Sequence, residues 1–514
     1  YQPKVTTLPD GRRTVETAFS RLTGRSPVLL AGMTPTTVDP EIVAAAANAG
    51  YWAELAGGGQ VTEPVFAENL AKLKKLLNPG RAAQFNAMFL DPYLWNLQFG
   101  AQSIVTKARA AGAPLDGVVI SAGIPELEEA TQLITDLQAA GFPYVAFKPG
   151  TTAQIRQVVT IAQAVPEAAV IVQVEDGHAG GHHSWENLDD LLLATYADIR
   201  NTPNLVLCVG GGIGTPERAA DYISGQWALA HGRALMPVDG VLIGTAAMTV
   251  LEAKTTAEVK QLLVDTAGVS IPPTEDTLGG WVPAGSTRGG VTSGQSHLRA
   301  DIHEVDNAAA RCARLVSQVS GNEEAVLARR DEIIAALDAT SKPYFGDVDK
   351  MSYLEWARRF ATLSASPIDG SWNDVTWINR FQLLLQRIEG RLSDKESGKI
   401  ATIFPDLDSA RDAKGAVDRL EETYPNAADT RVTPTDAAWF VDLCRKYPKP
   451  MPFVPVLDSD LLRWWGQDNL WQSQDPRYTA DQVRIIPGPI SVAGMTRVDE
   501  PIGELLGRFE TATV

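Results

Sequence analysis

Leu205-Val-Leu-Cys-Val-Gly210-Gly-Gly-Ile-Gly214-Thr-Pro-Glu217 runs a short apolar stretch into a glycine cluster and then opens a helix. Thr215 is a helix cap and Pro216 suits the first helical position, because its missing N–H has no partner there anyway. The same sentence is written eight times between residues 26 and 250. The apolar runs are 27–30, 51–55, 82–89, 117–121, 144–147, 170–174, 205–209 and 240–243. Helical-period stretches separate them at 40–49, 63–77, 93–111, 126–139, 153–164, 188–200 and 216–229. Near-continuous apolar strands alternating with helices predict a parallel sheet buried on both faces. Eight such units predict an α/β fold of the (β/α)8 TIM-barrel type rather than an open doubly wound sheet.

The rhythm stops near Ala267. Residues 270–300 are rich in Gly, Pro, Ser and Thr and read as a lid loop. Residues 310–319 and 323–337 return to helical periodicity, and a Ser/Pro/Asp/Gly break at 364–370 marks a further boundary. Beyond it, helices are expected at 377–391, 410–422, 434–446 and 499–510, and a strand at 483–492. The division is 1–270 (barrel), 271–365 (lid loop and helical annex) and 366–514 (mainly helical segment). Trp356, Trp372, Trp377, Trp439, Trp464, Trp465 and Trp471, seven of the twelve tryptophans, fall late in the chain, and large aromatics on short helices indicate packing or an interface.

The net charge of −17 argues against nucleic-acid or anionic-membrane partners, which select for Lys/Arg excess. No stretch approaches the ~20 apolar residues that span a bilayer. Cys208, Cys312 and Cys444 are few and scattered, which predicts no disulfide framework and a reducing, cytoplasmic setting. Position 1 is Tyr, which reads as either a processed chain or a segment of a longer polypeptide.

Two constellations carry chemistry. Asp176-Gly-His-Ala-Gly-Gly-His-His-Ser-Trp-Glu186 follows the sixth run and holds His178, His182 and His183, half of the six histidines. In a barrel this loop lies on the carboxyl-end face, where such enzymes keep their sites. Imidazoles hold or give a proton near neutral pH, and Gly180 and Gly181 let the backbone approach a flat ligand. A glycine-rich turn with solvated histidines and a zinc site are the competing readings. Zinc needs a helical segment that Gly180-Gly181 disfavours, so no metal is expected.

The second constellation pairs Gly210-Gly211-Gly212 after the seventh run with Gly244-Thr245 after the eighth. Exposed backbone N–H groups at strand-to-helix turns suit a phosphate, and a phosphate site after strands seven and eight is a recurrent barrel device. Either turn alone is weak; the pair at these ordinal positions is stronger. A Rossmann dinucleotide site does not fit a turn in the seventh unit. Gly32, Met33, Thr34, Asn86, Ser121 and Lys148 stand at other strand ends and line the space for a planar ligand. Lys148 is either a rim lysine or a cation for a developing anion.

Gly32-Met-Thr, Phe85-Asn-Ala-Met, Ala179-Gly-Gly-His182, Gly210-Gly-Gly-Ile-Gly214 and Ile243-Gly-Thr245 resemble the FMN-dependent barrel reductases, a group that includes bacterial flavin-type enoyl reductases and nitronate monooxygenases. The Gly-Gly-His-His-Ser-Trp-Glu run and Ser224-Gly-Gln-Trp227 are similar to signatures of fungal and actinobacterial type I fatty acid synthases. Over the whole chain, 1–365 looks like the enoyl reductase domain of a mycobacterial-type synthase and 366–514 like the helical segment leading toward the dehydratase. The resemblance implies FMN, with its phosphate near Gly211, Gly212, Gly244 and Thr245 and its ring near Met33, Thr34, Asn86 and Lys148. Gly32, Ser121, Gly181 and Gly210 complete the implied cofactor set. It further implies NADPH as donor, an enoyl thioester on an acyl carrier domain, His182 as proton donor with His183 beside it, and a ring-like homo-oligomer for the complete synthase. Residue 178 is His where the bacterial enzymes carry a carboxylate, so a carboxylate partner for the catalytic imidazole is expected from Glu175, Asp176 or Glu186. The Arg288-Gly-Gly290 loop is a candidate for nicotinamide, and local basic residues are expected at the barrel mouth to meet an acidic carrier. The rival readings are a nitronate-oxidising flavoprotein and a non-catalytic scaffold.

Overall fold

The computed structural model describes residues 2–8, 11–270, 281–393, 402–446, 449–466 and 470–514. Eight parallel strands close into a barrel: β1 (Val28–Leu30), β2 (Trp52–Ala56), β3 (Ala83–Met88), β4 (Leu115–Ser121), β5 (Tyr144–Phe147), β6 (Val170–Glu175), β7 (Leu205–Gly210) and β8 (Gly240–Ile243). β8 returns to β1, with Val241 opposite Val28 and Ile243 opposite Leu30. Each of the eight apolar runs is a strand. The helices Glu63–Leu76, Thr152–Ala164 and Pro216–Ser224 begin where Thr62, Thr151 and Thr215 accept a backbone N–H from the first turn. The stretch read as one helix over 93–111 is two, Pro92–Gln98 and Ile104–Ala110, divided around Gly100. Gly100 lies so close to Asn96 that a Cβ would stand 2.7 Å from its Cα.

The eighth barrel helix does not follow β8. After Ile243 the chain makes a short 3-10 turn, Thr245–Thr249, and leaves the barrel. The gap between Pro216–Ser224 and Pro40–Asn48 is filled by the final helix, Ile502–Thr513. Ile502, Leu505, Leu506 and Phe509 are buried in the barrel's hydrophobic core. Glu510 is tied to the amino-terminal strands and to β2's approach: Tyr51 Oη donates to it at 2.9 Å, Thr14 Oγ1 at 2.6 Å, and Arg12 pairs with it at 3.1 Å. Residues 244–501 are thus an excursion from the eighth unit. The expected segment 366–514 is revised at its end, because its last helix packs in the barrel and not with the other helices.

The excursion carries two helical cores. One holds Trp356, Phe360, Trp377, Phe381 and Phe440 on helices Tyr353–Ser364, Val375–Leu392 and Pro434–Arg445, with Val417 and Leu420 of Ala413–Thr423. The other packs Ala308–Val319 and Arg330–Asp338 against Leu461, Leu462 and Trp465. The late tryptophans therefore serve mainly as packing. The supposed lid is partly ordered sheet: Thr287–Arg288, Val291–Gln295 and Asp301–Val305 are antiparallel, and the last of these pairs with Gly181–His182 from the barrel. Residues 271–280 of that lid lie outside the described residues. The strand expected at 483–492 is instead a loop and a short helix, Pro489–Ala493. Pro487 and Pro489 lack the N–H that a ladder needs, and Pro489 suits a helix start. Among the described residues no helix is long and apolar enough to cross a membrane.

Candidate active site

At the carboxyl ends of the strands lies one cavity of about 1120 Å3. Its wall includes Gly32, Met33, Thr34, Asn86, Ser121, Lys148, Gly181, His182, His183, Gly210, Gly211, Gly212, Gly244 and Thr245. The fold thus brings the residues expected to hold FMN together with His182 and His183, whereas His178, Glu186 and Arg288 do not line the cavity. Its roof is the excursion, including Met451, Phe453, Trp464 and Ile486.

The floor is organised by a residue that the sequence reading passed over. Glu54 is fully buried on β2 and accepts four N–H groups: Gly32 N and Asn86 Nδ2 on Oε2 (2.9 and 2.7 Å), Trp52 Nε1 and Gln173 Nε2 on Oε1 (3.0 and 2.9 Å). A buried carboxylate is tolerable only with such a set of donors. Asn86 is fixed on its other side, where Ser121 Oγ lies 2.7 Å from its Oδ1. Glu54 was visible as a lone carboxylate inside an apolar run, and Gln173 as a lone amide in another.

Lys148 Nζ stands 3.1 Å from Glu175 Oε2. Burial alone would lower its pKa, but Glu175 and Glu54 outweigh it and hold the ammonium above the usual lysine range. Lys148 is therefore a fixed cation in the cavity wall.

The two glycine turns differ in what makes them glycine. Gly211 has φ +89°, and a Cβ there would meet Asp176 Oδ1 at 2.0 Å. At Gly212 (φ +68°) and Gly244 a Cβ would find nothing closer than 3.6 and 3.5 Å. Their bareness leaves cavity open above the backbone, whereas Gly211 is bare to seat Asp176. Gly180 is taken by the excursion: its Cβ would be 2.5 Å from Ile486 O. Gly214 likewise touches Ser491, and Gly488 N donates to Thr245 Oγ1 at 2.9 Å. Residues 486–494 thus strap the glycine loops from above. Gly180 makes room for that strap, not for a ligand.

Folding gathers five of the six histidines around the short sheet: His178, His182, His183, His297 and His303. His182 Nε2 lies 2.8 Å from Ser296 Oγ. Its ring is exposed to the cavity yet surrounded by protein, and its pKa is pushed down to about 4, by burial first and then by His297, Arg484 and His183. His183 is held by a hydrogen bond from Nδ1 to Ser184 O (2.7 Å) and stacks on His303 at 3.8 Å between centroids. The three carboxylates expected to serve His182 are engaged elsewhere. Asp176 holds His178 Nδ1 at 2.8 Å, Glu175 pairs with Lys148, and Glu186 accepts from Thr152 N and Oγ1. Among the described residues the ring's partner is a hydroxyl, Ser296, for which the sequence held no local signal.

Basic residues do line the cavity in an otherwise acidic chain: Arg445, Lys446 and Arg463, whereas Arg484 is buried and paired with Glu304 at 2.8 Å. Arg288 does not line it; its guanidinium donates to Trp281 O. Cys208 is fully buried inside β7, its thiol pushed well up by burial, which disqualifies it as a nucleophile.

A family profile described as "Fatty acid synthase subunit beta/Fas1-like, helical" matches residues 169–506. The fatty acid synthase subunit beta of Gibberella zeae is 34% identical over 100% of this chain and 25% of its own length. That of Saccharomyces cerevisiae is 31% identical over 98% of this chain and 25% of its own length. The chain spans about a quarter of these relatives. Among solved structures, the enoyl reductase domain of MlnA from the macrolactin biosynthesis cluster of Bacillus amyloliquefaciens aligns with a TM-score of 0.53 at 12% identity, covering 97% of this chain and 96% of that one. At that identity the likeness speaks for the fold alone. With the profile spanning the barrel's last three strands and nearly the whole excursion, the chain belongs to the fatty acid synthase subunit beta/Fas1-like family.

Proposed function

We propose that this chain performs the enoyl reductase step of fatty acid synthesis, with FMN as cofactor, NADPH as donor and an enoyl thioester on an acyl carrier domain as substrate. The observation that carries the reading is the convergence of the two glycine turns, the Glu54-anchored Asn86, Lys148 and His182 on one cavity. The cavity fits the cofactor in one specific respect: Gly212 and Gly244 leave open space above the backbone that protein packing does not need. Gly210, Gly211, Gly212, Gly244 and Thr245 would hold the phosphate. Gly32, Met33, Thr34, Asn86, Ser121, Lys148 and Gly181 would hold the ring.

When bound, FMN supplies hydride transfer, and the protein supplies placement and charge. Lys148 contributes a cation that does not titrate near neutral pH, placed to stabilise negative charge in the cavity. His182 delivers the proton that the α carbon of the thioester needs once hydride has entered the β carbon. Without ligand its imidazole is neutral; negative charge brought into the cavity raises its pKa toward the working range. The apolar roof, with Met451, Phe453 and Trp464, excludes water from the acyl chain.

The wider setting is proposed on the motifs and the family: a part of a larger cytoplasmic synthase, with other domains of that synthase as partners and a ring-like homo-oligomer as the complete assembly. The mycobacterial-type branch rests on the motif resemblance; the relatives described above are fungal. The test is direct. The purified chain should carry flavin absorbance, and His182→Ala should keep the flavin while losing enoyl thioester reduction. Turnover that survives His182→Ala but not His183→Ala would overturn the assignment. Reoxidation by air in preference to crotonyl thioester would favour a nitronate-oxidising enzyme instead.

A further inference from the structure

Ser296 sits in the turn between Val291–Gln295 and Asp301–Val305, almost fully buried yet lining the cavity. The turn is closed by its own backbone: Ser296 N donates to Ala300 O and Arg299 N to Ser296 O, each at 2.9 Å. The following strand pairs with the strand of His182, Ile302 standing opposite His182. One hairpin therefore grips both the backbone of His182 and, through Ser296 Oγ at 2.8 Å, its Nε2.

A hydroxyl oxygen has two acceptor positions. Leu298 N–H fills one at 3.2 Å, and the other faces His182 Nε2 at 2.8 Å. The groups that bear on the ring from neighbouring elements, His297, Arg484 and His183, repel a positive charge, and none offers an acceptor carboxylate. Nδ1 has no hydrogen-bond partner among the described residues.

We infer that Ser296 is a positioning residue that keeps a proton on His182 Nε2, so that Nδ1 is the nitrogen that gives and regains protons. This rests on the enoyl reductase reading for its chemical consequence but not for its geometry. The balance is simple. The imidazolium carries protons on both nitrogens. The Nδ1–H bond breaks, its proton forms the new C–H bond at the α carbon, and the electron pair stays on Nδ1. The ring is left neutral with Nε2–H still donated to Ser296 Oγ, and solvent returns a proton to Nδ1. Ser296 itself never changes charge.

The experiment uses the full chain with 15N-labelled histidine. The six histidines give few signals, and His182→Ala identifies the pair to follow. In the wild type, the His182 nitrogens should report Nε2–H throughout a pH titration. Ser296→Ala should move both toward the values of freely exchanging tautomers, and Ser296→Thr, which keeps the hydroxyl, should restore them. With crotonyl thioester, Ser296→Ala should lower kcat by about 10-fold or more while KM and flavin content hold, as expected for losing a hydrogen bond to a charged group. Unchanged nitrogen shifts in Ser296→Ala would overturn the inference. So would Ser296→Thr behaving like Ser296→Ala, since that would make the side chain a packing element only. If the shifts behave as expected while the wild type reduces no enoyl thioester, the enoyl reductase reading fails and the positioning role stands.

Discussion

Removing the last fourteen residues should unfold the barrel, although they lie some 250 positions beyond its eighth strand. Ile502 and Leu506 are fully buried, and Leu505 and Phe509 nearly so, all against barrel residues. Burying each such side chain stabilises by about 1.5–3 kcal/mol, so the four together contribute about 6–12 kcal/mol as an upper figure. A whole domain is stable by only ~5–15 kcal/mol. Truncation also removes the Glu510 carboxylate that pairs with Arg12 and accepts from Tyr51 Oη and Thr14 Oγ1. A chain ending at residue 500 should therefore lose its near-ultraviolet circular dichroism and its cooperative thermal transition. The milder Leu506→Ala should cost about 2–5 kcal/mol in urea unfolding, because it leaves a cavity in a closed core. Leu229→Ala, at an exposed position, should change stability by less than about 0.5 kcal/mol and serves as control. A 1–500 chain that melts cooperatively at the wild-type temperature would refute the claim that the final helix closes the barrel.

Gly211→Ala should cost at least about 1–3 kcal/mol and lose flavin, because its Cβ collides with Asp176 at a φ that L-residues resist; melting temperature and absorbance check both. Glu54→Gln should destabilise by about 1–3 kcal/mol, measured by urea unfolding, since an amide NH2 would face N–H donors that the carboxylate now satisfies. Stability should also fall as pH drops below neutrality. His303 is fully buried, and burial with His183 alongside pushes its pKa down to about 3, against about 6.5 when unfolded. The unfolded chain thus binds the proton first, so the contribution is complete above pH ~6.5 and shrinks as pH falls toward the folded value. From pH 7 to pH 5 this single ring should cost about 2 kcal/mol, and His303→Phe should flatten that part of the profile.

The barrel was legible because each strand is a mostly apolar run, buried along most of its length, and glycines or polar residues follow within a residue or two. Gly210–Gly212 and Gly244-Thr245 announced themselves by ordinal position, and His182 by its dense loop. What stayed hidden is non-local. Nothing near Ile502 marks its helix as the eighth of a barrel whose eighth strand ended at Ile243; its amphipathic face would suit any core. Ser296 is one serine among many until the hairpin brings it to His182, 114 positions away. The apolar run at 483–492 forms no strand because Pro487 and Pro489 lack the N–H groups a ladder needs. The neighbour of Gly180 is Ile486 and not a ligand, a contact between segments far apart in the chain that local sequence does not show.

The most direct test of the functional account is one anaerobic experiment. The purified chain is reduced with NADPH, and flavin absorbance is followed on adding crotonyl thioester, in the wild type and in His182→Ala. The account predicts bleaching by NADPH in both, rapid recovery of absorbance with crotonyl thioester in the wild type, and no sustained turnover in His182→Ala. A chain that binds no flavin, or a reduced flavin that crotonyl thioester leaves bleached, would contradict it.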